Sequence, residues 1–161
     1  MPRKRPGAIR AVRERQPPQW ARELPPIGRL SRDTSAAIHM LEHGDHSYGY
    51  HLFDLQPGRT SQLLYGYRKF LRQPGRRLRL VASECPACPG CQYDDVAVVR
   101  DALEEIESFL PPPARAELRR LLAGLDAEFG RRTLHDPDPS HWTDWSGNPY
   151  PWWHRRLYMG G

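Results

Sequence analysis

Lysine is nearly missing from this chain, cysteine occurs in one place only, and no long apolar run is present. Of 24 Lys+Arg residues only Lys4 and Lys69 are lysine; so strong an arginine bias most simply follows a GC-rich coding sequence and is not in itself evidence of phosphate recognition. No apolar stretch approaches the roughly 20 residues of a membrane span, and the charged start "MPRKRPGAIR" is followed by no apolar leader core, so no membrane partner and a cytoplasmic location are expected. The three cysteines lie within "ECPACPGC", which makes a poor disulfide framework and fits a reducing compartment. Between Asp54 and Glu84 acids are absent altogether.

What is present is one domain's length, 161 residues, with 39% apolar residues and 17 prolines; the mean hydropathy is -0.75. A modest core with much turn and extended chain follows. Residues 1–32 hold nine of the basic residues and two of the 19 acids, a net of +7 that leaves −2 for the remainder, so the pI of 9.4 belongs to this stretch. Its prolines and scattered apolar residues cannot repay the entropy of ordering, and it reads as a flexible basic arm with at most a short helix between Ala8 and Gln16.

The body, 33–134, reads as an α+β core. "DTSAAIHMLEHG" predicts a short helix over 34–43 capped by Asp33 or Thr34, and "YGYHLFDLQPG" a strand over 48–55. Leu63, Leu64, Tyr67, Phe70 and Leu71 share a helical face that stops at Pro74-Gly75. "RRLRLVAS" alternates Leu78 and Leu80 with arginines, as a strand with one buried face does. Val96, Val99, Leu103, Ile106 and Leu110 mark the most regular helix, and "PPP" separates it from a second one carrying Leu118, Leu121, Leu122, Leu125 and Phe129; so short a link predicts an antiparallel hairpin. The expected fold is therefore a small sheet with an α-helical hairpin, a cysteine knuckle between strand and helix, and an irregular Trp-rich tail, 135–161, packed on the core.

Cys85, Cys88 and Cys91 are two-residue-spaced thiols in a turn pre-bent by Pro86, Pro89 and Gly90, and thiolates are soft ligands suited to a structural zinc ion. A closed tetrahedral site requires a fourth ligand, for which His141 is the leading candidate beside His135, His154 and the local Asp94. An iron-sulfur cluster or a redox CxxC are weaker alternatives, the first for want of a fourth cysteine, the second for want of a surrounding βαβ pattern.

A binding role for nucleic acid rests on Arg3, Lys4, Arg5, Arg10, Arg13 and Arg15 of the arm and on the basic run Arg59, Arg68, Lys69, Arg72, Arg76, Arg77 and Arg79, with Tyr65 and Tyr67 as stacking partners. The opposing reading is that this run pairs with the acidic stretch 84–107, which holds seven acids and only Arg100. Two other functions stay open: a protein-interaction module docking through the Trp-rich tail, and a small metalloenzyme using His39, His43, Asp45, His46 and His51, of which His39 and His43 stand one helical turn apart. A His-Asn-His nuclease site from His135, His141, Asn148 and His154 lacks the spacing it requires. The favoured function is a non-enzymatic binding protein with a structural zinc knuckle, contacting nucleic acid or a nucleic-acid-associated complex.

Overall fold

The computed structural model describes residues 16–44 and 55–160. Five α-helices occur among them: α1 (Gln19–Glu23), α2 (Arg32–Glu42), α3 (Arg59–Leu71), α4 (Val96–Phe109) and α5 (Pro112–Arg132). The last two form the expected hairpin, because Pro111 stops one helix and Pro112, lacking an N–H to satisfy, opens the next. Helix α3 lies across both members of the pair, α2 packs on α5, and α1 packs on α2. The core is their shared apolar face: Ile38 of α2, Leu64 and Tyr67 of α3, Leu103 and Ile106 of α4, Leu118, Leu122 and Phe129 of α5, each at most 2% exposed.

Polar groups fix how these helices begin. The side chain of Ser31 accepts from Thr34 N to cap α2, in the place expected of Asp33 or Thr34. Asp95 accepts from Ala97 N at 2.9 Å to cap α4. Helix α3 begins after Gly58, at φ +84°, and its cap comes from outside: the buried Glu42 carboxylate accepts from Gly58 N at 2.8 Å and Thr60 N at 2.7 Å. A negative group against a helix N-terminus is favoured by the macrodipole, so one carboxylate joins the end of α2 to the start of α3.

The expected α+β class is overturned: no strand or sheet exists among the described residues, only isolated bridges. Leu78 and Leu80 do bury one face, at 4% and 0% exposure, with Arg77 and Arg79 turned outward. Yet Leu78 bridges to Thr133 at the end of α5, and Leu80 bridges to Tyr158 in the C-terminal segment. A ladder needs successive residues on one partner, and two partners in turn leave an extended segment pinned at two points. The strand expected over 48–55 lies outside the described residues except for Leu55, as does the helix expected between Ala8 and Gln16 except for Gln16.

Residues 16–32, assigned to the arm by composition, join the body: Ala21, Ile27 and Leu30 are buried in its core. At the other end Trp153 is 8% exposed and Trp152 meets Phe129 edge-on with ring centroids 5.7 Å apart. The segment is held by polar contacts as well, since Asp101 on α4 accepts from Trp153 Nε1 at 2.7 Å and lies 2.6 Å from His154 Nε2.

Candidate nucleic-acid interface

The segment that leaves α3 is placed by one buried side chain. Arg132, the last residue of α5, donates to the carbonyls of Leu71, Gln73 and Gly75, which are left over at the C-terminal end of α3 and in the turn beyond it. Gly75 takes φ +106°, a turn few side chains tolerate. Arg77 then donates from Nη1 to the Arg131 carbonyl at 2.7 Å. The link 72–79 is thus carried on the end of α5, and Arg72, Arg76, Arg77 and Arg79 stand exposed along it.

Four of the seven acids of 84–107 are engaged away from this link. Asp95 accepts from Tyr158 Oη at 2.9 Å, Asp101 holds Trp153 and His154, Glu104 pairs within its own helix with Arg100 at 2.8 Å, and Glu107 pairs with Arg119 at 2.6 Å. Among the described residues, Arg68, Arg72, Arg76, Arg77 and Arg79 form no ion pair with a carboxylate. Arg59 is turned inward and lies over the Tyr93 ring at 5.0 Å. Of the two stacking partners, Tyr65 is 64% exposed, whereas Tyr67 is core: it is fully buried and donates to Asp126 Oδ1 at 2.7 Å, and burial pushes its hydroxyl far above the ordinary range. Arg3, Lys4, Arg5, Arg10, Arg13 and Arg15 lie outside the described residues.

The basic link runs into the cysteine turn. Ser83 staples that turn shut, because its Oγ donates to the Cys91 carbonyl at 2.7 Å and accepts from Cys85 N at 3.1 Å. Sequence reasoning missed Ser83, whose only signal is its place two residues before the first cysteine. Inside the turn the backbone N–H groups of Cys91 and Gly90 point at the Cys88 sulfur, which also meets the thiols of Cys91 and Cys85; the backbone donors foremost hold Cys88 below the ordinary thiol value. Cys91 is held above it, first by its hydrogen bond with Cys88 and more weakly by Asp94. Amide donors converging on one sulfur stabilise a thiolate, which is the ligand form of the residue. The three thiols are free, and among the described residues no group of three or more His, Cys, Asp or Glu side chains is arranged to hold a metal ion as it stands.

The histidines of the C-terminal segment are engaged elsewhere. His141 Nδ1 lies 2.8 Å from Asp136 and Nε2 3.6 Å from Asp138, and the hydrogen bond to Asp136 leads in raising it above the ordinary imidazole value. His154 is held by Asp101, and His135 lies beside the Trp142 ring at 5.1 Å. The carboxylate next to the thiols is Asp94, which ends the short turn Cys91–Asp94. In the other histidine pair, His39 Nε2 donates to the Pro25 carbonyl at 2.8 Å, while His43 meets the Trp20 ring at 5.4 Å. Asp45, His46 and His51 lie outside the described residues.

Two clefts border the basic link. Arg77 and Arg79 line one of about 550 Å³ that reaches Asp94 beside the cysteines. Arg72 lines another, of about 500 Å³, with Arg29, Arg68 and Arg120. No helix among the described residues is long and apolar enough to cross a membrane. No family model matches the chain, and no curated protein or solved structure matches it.

Proposed function

We propose that the chain is a non-enzymatic binding protein that holds nucleic acid by its phosphate backbone, with a structural zinc knuckle beside the contact surface. The observation that carries this reading is that Arg68, Arg72, Arg76, Arg77 and Arg79 form no ion pair with a carboxylate among the described residues, while Asp95, Asp101, Glu104 and Glu107 are engaged by other side chains. Guanidinium groups held apart from counterions suit phosphate oxygens, which they meet in a two-pronged geometry. Such contacts supply affinity and orientation without reading sequence. Arg72, Arg76, Arg77 and Arg79 are the anchoring groups, Tyr65 the exposed ring on the same helix as Arg68, and the basic residues 3–15 an extension of the same field.

Zinc fits the cysteine turn on the chemistry of its donors: three thiols, one of them already held toward the thiolate by two backbone amides. Cys85, Cys88 and Cys91 would hold the ion, with Asp94 the carboxylate nearest to hand and His141 kept by Asp136. An ion there would tie the Arg77 and Arg79 link to the start of α4. Free thiols of this kind suit a reducing compartment such as the cytoplasm. Metal analysis after purification under reducing conditions tests it: about one zinc per chain is expected, lost in Cys88→Ser together with cooperative unfolding, and a metal-free, equally stable protein would contradict it.

A second reading, docking of a protein partner through the C-terminal segment, has its own support. Trp145 is 98% exposed on a tight loop in which Asp144 accepts from Ser146 N and Asn148 N and Gly147 takes φ +81°. Complex formation that withstands nuclease and high salt but is abolished in Trp145→Ala would favour it over phosphate binding.

A further inference from the structure

The cleft bordered by Arg72 differs from the open arginine link in one respect: its charges come from three separate elements. Arg29 precedes α2, Arg68 and Arg72 belong to α3 and its cap, and Arg120 stands on α5. The one carboxylate on its wall is Glu117, and both its oxygens are already held: Ser31 N and Ser31 Oγ donate to it at 2.6 Å each, and Thr34 Oγ1 donates to it as well. Burial works to raise this carboxyl, but those donors, helped by Arg120, bring it below its ordinary value. Glu117 is therefore the anchor of the α2 N-terminus; Arg120 also acts on its charge, and among the described residues Arg29, Arg68 and Arg72 form no ion pair with a carboxylate.

Arg68 is positioned for this. Its guanidinium lies against the backbone of Gly28, where an added Cβ would come within 3.0 Å of Nη1, and Gly28 takes φ +57°. Burial, then the charges of Arg29 and Arg72, make Arg68 less basic than usual, as like charges gathered in one place must. Leu30, Leu121 and Leu125 give the cleft an apolar floor. A volume of about 500 Å³ lies in the usual range of small-molecule sites, roughly 300–1,000 Å³, and exceeds what a bare inorganic anion fills.

We propose that this cleft is a phosphomonoester site: Arg29, Arg68, Arg72 and Arg120 grip a terminal phosphate, and the nucleoside attached to it rests on Leu121 and Leu125. A phosphodiester carries one charge, whereas a terminal phosphate carries about 1.5–2 at neutral pH, the better match to four guanidinium groups set against the single carboxylate of Glu117 on one cleft. The ligand is either the phosphorylated end of a strand or a free mononucleotide. The first deepens the nucleic-acid reading and rests on it; the second stands without it.

The test uses the full chain and three oligonucleotides of one sequence, with a 5′-phosphate, a 3′-phosphate or hydroxyls at both ends, read by fluorescence anisotropy, and adenosine monophosphate against adenosine by calorimetry. A phosphorylated end, 5′ or 3′, is expected to bind at least about tenfold tighter than the hydroxyl form. Arg68→Gln and Arg120→Gln, the latter at an exposed position, should abolish that ratio, while Arg79→Gln weakens every oligonucleotide equally and keeps it. If the three oligonucleotides bind alike in the wild type, or the ratio survives both cleft variants, the site is wrong even though the nucleic-acid reading stands. If no oligonucleotide binds but adenosine monophosphate does, and Arg120→Gln removes it, the site stands and the nucleic-acid reading falls.

Discussion

Replacing Arg100 with methionine tests the network that holds the basic surface on the core. The Arg100 side chain is 7% exposed; it pairs through Nε and Nη2 with both oxygens of Asp126, at 2.9 to 3.2 Å, and its guanidinium lies 4.3 Å from the centre of the Trp153 ring. Asp126, 17% exposed, also accepts from the buried Tyr67, so α3, α4, α5 and the C-terminal segment meet at one carboxylate and one guanidinium. Methionine would preserve most of the stem's packing against Trp153 and leave the Asp126 charge facing Tyr67 alone. Breaking a buried pair from one side costs about 3–5 kcal/mol, chiefly through the charge left behind. The bond to Glu104 adds little, because that carboxylate is 53% exposed. In a chain of this length about 3–5 kcal/mol lowers Tm by roughly 10–15 °C. Adding Asp126→Asn, which removes the stranded charge and keeps an acceptor for Tyr67, should restore at least half of the stability. Urea and thermal unfolding of the wild type, the two single variants and the double variant measure this coupling. A destabilisation below about 1 kcal/mol for Arg100→Met, or strict additivity in the double variant, would refute the reasoning.

Other expectations follow from single contacts. Glu42→Ala removes the acceptor for Gly58 N and Thr60 N and should cost about 2–4 kcal/mol in urea unfolding, with Glu42→Gln falling between it and the wild type. Cys88 should be alkylated ahead of Cys91 at neutral pH, as mass spectrometry of iodoacetamide-treated protein can read, because amides of Gly90 and Cys91 favour its thiolate. His141 should titrate above 6.5 by NMR and fall back toward that value in Asp136→Asn. The sign for stability is that a raised imidazole helps the folded state fully below 6.5 and stops helping as pH climbs through the raised value, while the depressed Asp136 helps above 3.8 and stops as pH falls through its lowered value. Protection of the 136–142 backbone in hydrogen exchange should therefore be greatest between those limits.

How much of this was legible in the chain differs from element to element. The α4–α5 hairpin was, because Val99, Leu103 and Ile106 repeat at helical spacing and Pro111 and Pro112 punctuate it. The alternation of Leu78 and Leu80 was read correctly as one buried face, but a period of two says nothing about a partner strand, and there the sheet failed. Ile27 and Leu30 were hidden by the prolines and arginines around them, although both are core. The choice between an arginine surface and internal pairing could not be made from charge patterning, since Trp153, His154 and Tyr158, which hold Asp101 and Asp95, lie 52 to 63 residues away in sequence. For the same reason the cleft was invisible: Arg29 and Arg120 join Arg68 and Arg72 only through packing. The cysteine turn was visible as a motif, whereas the contact of Asp136 with His141, the expected fourth ligand, was not.

Phosphate attraction by the arginine link is open to measurement in the salt dependence of binding to a short DNA duplex. The full chain should show log affinity falling linearly with log salt concentration, with a slope of several, and Arg76→Gln/Arg79→Gln should lower that slope by about 2, near 0.9 for each phosphate that is no longer neutralised. Binding that is absent, or that shows no salt dependence and is unmoved by the double substitution, would contradict it.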